Sequence, residues 1–115
     1  MNENEKEEFS ELENKLMLCL GLCARAGKII FGVPMICDAM RRKGESKVPV
    51  IVFESSDTSE NTHKKITDKC GYYKIKVVRL KKNGIELAQA LGKTGSLAAI
   101  AVTDVQMSKM IEKYI

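Results

Sequence analysis

Long hydrophobic runs, metal-ligand spacings and catalytic signatures are all missing from this 115-residue sequence. No apolar stretch approaches the ~20 residues of a membrane-spanning helix, so no transmembrane segment is expected. The opening MNENEKEEFSELE is acidic and lacks the basic-then-apolar order of a signal peptide, which points to a cytoplasmic protein. Four cysteines fit that compartment. Cys19 and Cys23 share a helix face, while Cys37 and Cys70 stand apart. Without a CxxC pair or a second ligand cluster they read as small buried thiols, and neither metal nor cofactor is expected. The sole histidine, His63, sits between Thr62 and Lys64 and reads as a solvated helix residue. GxGxxG, GxxxxGK(S/T) and GxSxG are absent; Gly92-Lys93-Thr94 has the end of a phosphate loop without its upstream glycine. No nucleophile, base or small-molecule site is marked, so the chain is not read as an enzyme.

What is present is a globular composition, 44% hydrophobic and 30% charged, with an uneven charge. Residues 1–13 hold six glutamates against one lysine, a net charge of −5, so the remainder of this +4 chain carries +9. A body that basic attracts polyanions, of which RNA is the abundant cytosolic one.

Apolar periodicity predicts a first helix from Glu5 to Ala26, with Phe9, Leu12, Leu16, Cys19, Leu20 and Cys23 repeating at helical spacing. Ile29–Phe31 is a short strand, Pro34 to Arg42 a second helix ended by Gly44, and Val48–Phe53 a β-branched strand. Asp57 with Glu60 has capping-box order and opens a third helix that Gly71 closes. Val77–Leu80 is a third strand, Ile85–Leu91 a fourth helix after the Asn83-Gly84 turn, and Leu97–Val102 the last strand. Thr103 with Gln106 caps a final helix. This strict alternation predicts a single domain over residues 1–115, an α/β fold built as a three-layer α/β/α sandwich around a four-stranded mixed sheet.

The stretch LGLCARAGKIIFGVPMICDAMRR, Leu20 to Arg42, organises the rest. Gly27 closes one helix, and Gly32-Val33-Pro34 opens the next, where proline suits the first turn. Unpaired amides at a helix start, with Arg25 and Lys28 nearby, suit an anion. Three loops are expected to converge on the functional edge: Gly27–Pro34, Glu54–Ser59 and Gly92–Leu97.

ARAGK-x-x-x-G before the second helix, VIVFE, SENTHKKITDKCGYYKIKV, and Leu91-Gly92-Lys93 followed by AAIAVTD resemble the bacterial YlxQ-type proteins. These are relatives of the ribosomal proteins L7Ae, L30e and S12e and of other kink-turn binders. The resemblance runs from Leu16 to Met110. It implies RNA contacts from Arg25, Lys28, Gly32 and Val33 around the second helix, from Glu54 at the second strand, and from Lys93, Thr94, Ser96 and Leu97 before the last strand. It also exposes a departure: where the family's kink-turn readers carry a polar pair and a lysine, this chain has Pro34, Met35 and Asp38. The implied partners are structured RNA, including kink-turn or ribosomal RNA, and ribosomal proteins. A protein-interaction module on the same fold is the alternative reading.

Because residues 1–13 oppose a basic body, their deletion is expected to strengthen polyanion binding, most at low salt where screening is weak. Filter binding to RNA at two salt concentrations checks this; weaker binding would make the segment part of the site or the fold.

Overall fold

Ile51-Val52-Phe53-Glu54 is buried along its whole length, as a strand covered on both faces must be. In the computed structural model, which describes residues 3–42 and 47–115, it is β2 (Ile51–Glu54). The elements around it are α1 (Glu3–Arg25), β1 (Ile29–Phe31), α2 (Val33–Arg41), α3 (Glu60–Tyr73), β3 (Lys76–Arg79), α4 (Gly84–Ala90), β4 (Ala99–Val102) and α5 (Val105–Glu112). The sheet order is β1-β4-β2-β3. β4 runs antiparallel to β1 and β2, with Phe31 and Phe53 both opposite Ile100, while β2 and β3 are parallel. The expected α/β fold with a mixed four-stranded sheet is therefore the one observed.

Strand alternation sorts the core into two halves. Ile51, Phe53, Ile100 and Val102 face α1, α4 and α5, where they meet Leu16, Leu20, Cys23, Leu87, Leu91 and Ile111. Val52, Ala99 and Ala101 face α2 and α3, against Val33, Ile36, Met40, Ile66 and Cys70. Small alanines in β4 let α2 and α3 lie close to the sheet. Leu18, Leu22, Val105 and Met110 stay exposed on the outer sides of α1 and α5. No helix of the described residues is long and apolar enough to cross a membrane.

Several boundaries differ from the sequence reading for identifiable reasons. β2 begins at Ile51 rather than Val48, because Pro49 has no N–H to donate; Val50 makes the first bond, to Val102 O at 2.8 Å. Leu97 and Ala98 are held sideways, by Gly84 O and Ser55 N, so β4 starts only at Ala99. The cap of α3 is Ser59, whose Oγ accepts from Thr62 N at 3.2 Å. Asp57 instead accepts from Gly84 N at 2.9 Å, fastening α4 to the loop after β2. α3 passes Gly71 and closes at Lys74 in the left-handed conformation. Asp104, not Thr103, caps α5 through Met107 N. Gly44, expected to end α2, lies outside the described residues; α2 ends at Arg41.

Glu13 also changes role. Its carboxylate accepts from Lys81 N at 2.9 Å and from Lys82 N at 2.6 Å, so it fixes the β3–α4 turn. A deletion that isolates the charge effect of the acidic segment therefore ends before Glu13.

Gly84 lies under the loop before β4. A Cβ there would sit 2.1 Å from Ser96 Oγ and 3.0 Å from Leu97 O. Ser96 can turn away, but the Leu97 carbonyl belongs to backbone tied to Gly84 itself. Helix propensity alone favours Gly84→Ala by about 1 kcal/mol. The clash is expected to reverse that sign and leave a net loss of about 1–2 kcal/mol, read by urea denaturation.

Candidate functional site

β1, β2 and β3 all end, and β4 begins, at one edge of the sheet, because β4 alone runs the other way. Each of the three connections leaving that edge turns into a helix, so α2, α3 and α4 all start there. Helix starts carry the positive end of the dipole, and of these three only the start of α2 has no side-chain cap on its N–H groups. This edge is therefore electropositive in its backbone before any side chain is counted.

The centre of the edge is a hollow of ≈ 400 Å³ lined by Gly32, Pro34, Thr62, Lys65, Ser96 and Leu97, with Val33 and Ala98 completing it. Gly32 makes the turn out of β1 at φ +87°, where only glycine is unstrained, and its N–H bonds Ala99 O at 3.0 Å. A Cβ placed on Gly32 would meet only Pro34 Cδ, at 3.9 Å, so conformation rather than space selects glycine there. No side chain caps the first turn of α2. Ser55 N donates to Ala98 O at 2.9 Å, which draws the loop after β2 against the loop before β4.

Of the residues expected to act together, Gly32, Val33, Ser96 and Leu97 do meet in this hollow. Val33 is buried in the core, Leu97 is half-buried, and Ser96 and Thr94 are exposed. Lys28 is separate: it sits at the opposite end of β1, 4.0 Å from Asp104, with its carbonyl bonded to Thr103 N. Arg25 and Lys93 line a second hollow with Phe31, on the α1/α4 side of the sheet. The expected convergence of the Gly27–Pro34 loop thus holds at its Gly32–Pro34 end and fails at Lys28. Thr62 and Lys65 were not singled out by sequence reading. Their spacing of three on α3, beside inward-facing Ile66, was the available signal.

Glu54 does not line either hollow. Its side chain is 1% exposed, with His63 Nδ1 at 2.8 Å from Oε2, Arg79 Nε at 3.8 Å and the Thr58 hydroxyl donating to Oε2. A carboxylate only accepts, so Nδ1 carries the proton of the His63 bond and the ring is turned with Nε2 away from Glu54. The reading of His63 as a merely solvated residue is corrected: it is half-exposed but anchored to the most buried charge described. Arg79 Nη2 also donates to Ser56 O at 3.2 Å. The Ser55 hydroxyl beside this group is buried and has no partner among the described residues. Cysteine chemistry is disfavoured at both buried thiols. Burial, with Cys37 and Glu54 nearby, pushes the Cys70 thiol up to about 11, and burial with Cys19 and Asp104 raises Cys23.

A model of the ribosomal protein L7Ae/L30e/S12e/Gadd45 family matches residues 14–112. The chain is 34% identical over 85 residues to the RNA-binding protein YlxQ of Bacillus subtilis (strain 168), spanning 74% of this chain and 79% of that one. It is 40% identical over 80 residues to the RNA-binding protein YlxQ of Enterococcus faecium, spanning 69% of this chain and 72% of that one. A solved structure of a protein with unknown function from Bacillus halodurans C superimposes with a TM-score of 0.76 at 31% identity, over 87% of this chain and 95% of that chain.

Removing His63 would leave the Glu54 charge buried with only Arg79 and Thr58 to meet it. His63→Ala is expected to cost about 2–3 kcal/mol, below the roughly 3–5 kcal/mol of stranding a buried charge outright because those two partners remain. Adding Glu54→Gln to that variant should recover part of the loss, which a double-mutant cycle in urea resolves. A His63→Ala protein within about 0.5 kcal/mol of the parent would return His63 to the status of an ordinary surface residue.

Proposed function

Because the chain belongs to the ribosomal protein L7Ae/L30e/S12e/Gadd45 family, we propose that it is a non-enzymatic cytoplasmic RNA-binding protein that grips structured RNA across the edge formed by Gly32, Lys65 and Ser96. The observation that carries this reading is the convergence of an uncapped helix start, Lys65 and the loop before β4 on one hollow. Amides and a lysine at a helix start suit phosphate and ribose, and an open hollow suits a base turned out of its stack. Two relatives are named as RNA-binding proteins, which supports the same conclusion. The RNA is a sharply bent one of the kink-turn type, in ribosomal RNA or another ribonucleoprotein where ribosomal proteins are its neighbours.

Within that reading Glu54 acts at second hand, by fixing His63 and Arg79, rather than by touching RNA. Asp38 opposes phosphate less than its charge suggests. Arg41 Nη2 lies 3.3 Å and Arg42 Nε 3.1 Å from its carboxylate. Pro34 and Met35, in contrast, offer no hydrogen bond to a base edge, and the Met35 side chain projects into solvent. That exposed methionine favours the second reading, a protein-interaction surface on the same helix start.

Kinked recognition without base-edge contacts should cost discrimination more than affinity. Phosphate contacts remain and give a salt-dependent term, while each bidentate base contact adds about 1–3 kcal/mol of discrimination on the scale known for DNA. The combined change Pro34→Asn, Met35→Glu, Asp38→Lys is expected to sharpen preference for a kink-turn RNA over a straight duplex at least about tenfold. Paired titrations of both RNAs at two salt concentrations measure it. If the parent already discriminates strongly and the variant adds nothing, these positions have been misread. If neither folded protein binds RNA, the interaction surface becomes the better account.

A further inference from the structure

The second hollow, of ≈ 380 Å³, lies between the C-terminal halves of α1 and α4. Gly21 and Ala24 line it where α1 and α4 approach closely; a Cβ at Gly21 would come within 2.9 Å of Ala90 O. The Phe31 ring, Arg25 and Lys93 complete its walls, and the Lys93 ammonium lies over the ring, 4.6 Å from its centre. Neither Arg25 nor Lys93 has a carboxylate partner among the described residues. A cation near the C-terminal end of a helix complements its dipole. Dipole complementarity does not explain why two such cations share one hollow with an aromatic face.

The chemistry of that wall is specific. An aromatic ring suits a planar base, and two unneutralised cations suit its phosphate. The volume falls in the range of roughly 300–1,000 Å³ typical of small-ligand sites. We propose that this hollow receives an unstacked nucleotide of the RNA held on the other side of β1. The base stacks on Phe31, and the phosphate rests between Arg25 and Lys93. The inference rests on the RNA-binding reading above. Phe31 and Gly32 are consecutive, and Lys93 precedes Ser96 by three positions, so a strand seated in the first hollow reaches the second by crossing the end of β1. Stacking a base on the ring outweighs an exposed ammonium over the same face, so Lys93 gives up the ring and turns to the phosphate.

The test compares a kink-turn hairpin carrying a short unpaired uridine tract at either end with the same hairpin trimmed flush. One unpaired tract is expected to tighten binding to the parent about tenfold, the effect of one stacked base. Phe31→Leu, close in volume and still apolar, should abolish that gain while leaving affinity for the trimmed hairpin unchanged. Phe31→Tyr, which keeps the ring, should retain it. Circular dichroism establishes that each variant is folded, and Phe31→Met, which also removes the ring, carries the comparison should Phe31→Leu fail to fold. Binding of the trimmed hairpin with no gain from either tract, or a gain that survives Phe31→Leu, overturns the inference and leaves the RNA-binding reading intact. No binding of any hairpin overturns both. Uridine monophosphate shifting the Phe31 ring resonances, without any gain from the tracts, would assign the hollow to a free nucleotide and overturn it as an RNA subsite.

Discussion

A carboxylate at the end of a core strand is an expensive thing to bury, and the way Glu54 is satisfied fixes the geometry around it. Desolvating a carboxylate costs several kcal/mol unless charged and hydrogen-bonding partners replace the water. The partners here come from three different elements: Thr58 from the loop after β2, His63 from α3 and Arg79 from β3. Apolar packing would tolerate small slides of α3 over the sheet. A hydrogen-bonded buried charge does not, because a shift of an ångström breaks the bond while the cost of burial remains. Glu54 thereby sets where α3 begins, and with it where Thr62 and Lys65 stand relative to Gly32 and Ser96.

The same edge depends on strand direction. With β4 antiparallel to its neighbours, the loop entering it arrives where three helices begin. That loop has few bonds along the ladder. It is held instead by Leu97 N to Gly84 O and Ala98 O from Ser55 N. It is also braced indirectly by Asp57, which binds Gly84 N. A single acidic residue read as a helix cap thus belongs to the brace beneath the candidate site.

The sequence carried the architecture clearly, since alternating apolar runs and turn residues have few other solutions. It carried boundaries less well. Pro49 shortened β2 because proline cannot donate, and the side chains of Asp57 and Thr103 lost the capping positions to Ser59 and Asp104, two and one residues further on. Short polar residues in a row offer several caps of similar strength, and tertiary demands select among them. His63 was illegible for a different reason. Nothing local distinguishes it from any polar residue on α3, and its partner lies nine positions earlier, across a turn. Lys28 is near Gly32 in sequence but not in space, because a three-residue strand between them carries the two to opposite ends of the sheet.

What the site lacks at α2 then bears on how it would read RNA. An uncapped first turn with Pro34 and Met35 in it presents amides and apolar surface, but no side-chain acceptor for a guanine or adenine edge. Such a surface distinguishes backbone shape from backbone shape far better than base from base. The cations follow the same logic. Lys65 sits in one hollow and Arg25 with Lys93 in the other, on two faces separated by β1. A straight duplex presents its phosphates along smooth, regular grooves and would meet one face at a time. A strand that turns sharply across the end of β1 would meet both, so on the proposed RNA-binding reading the selectivity of this edge would reside in the path of the backbone and not in hydrogen bonds to particular bases.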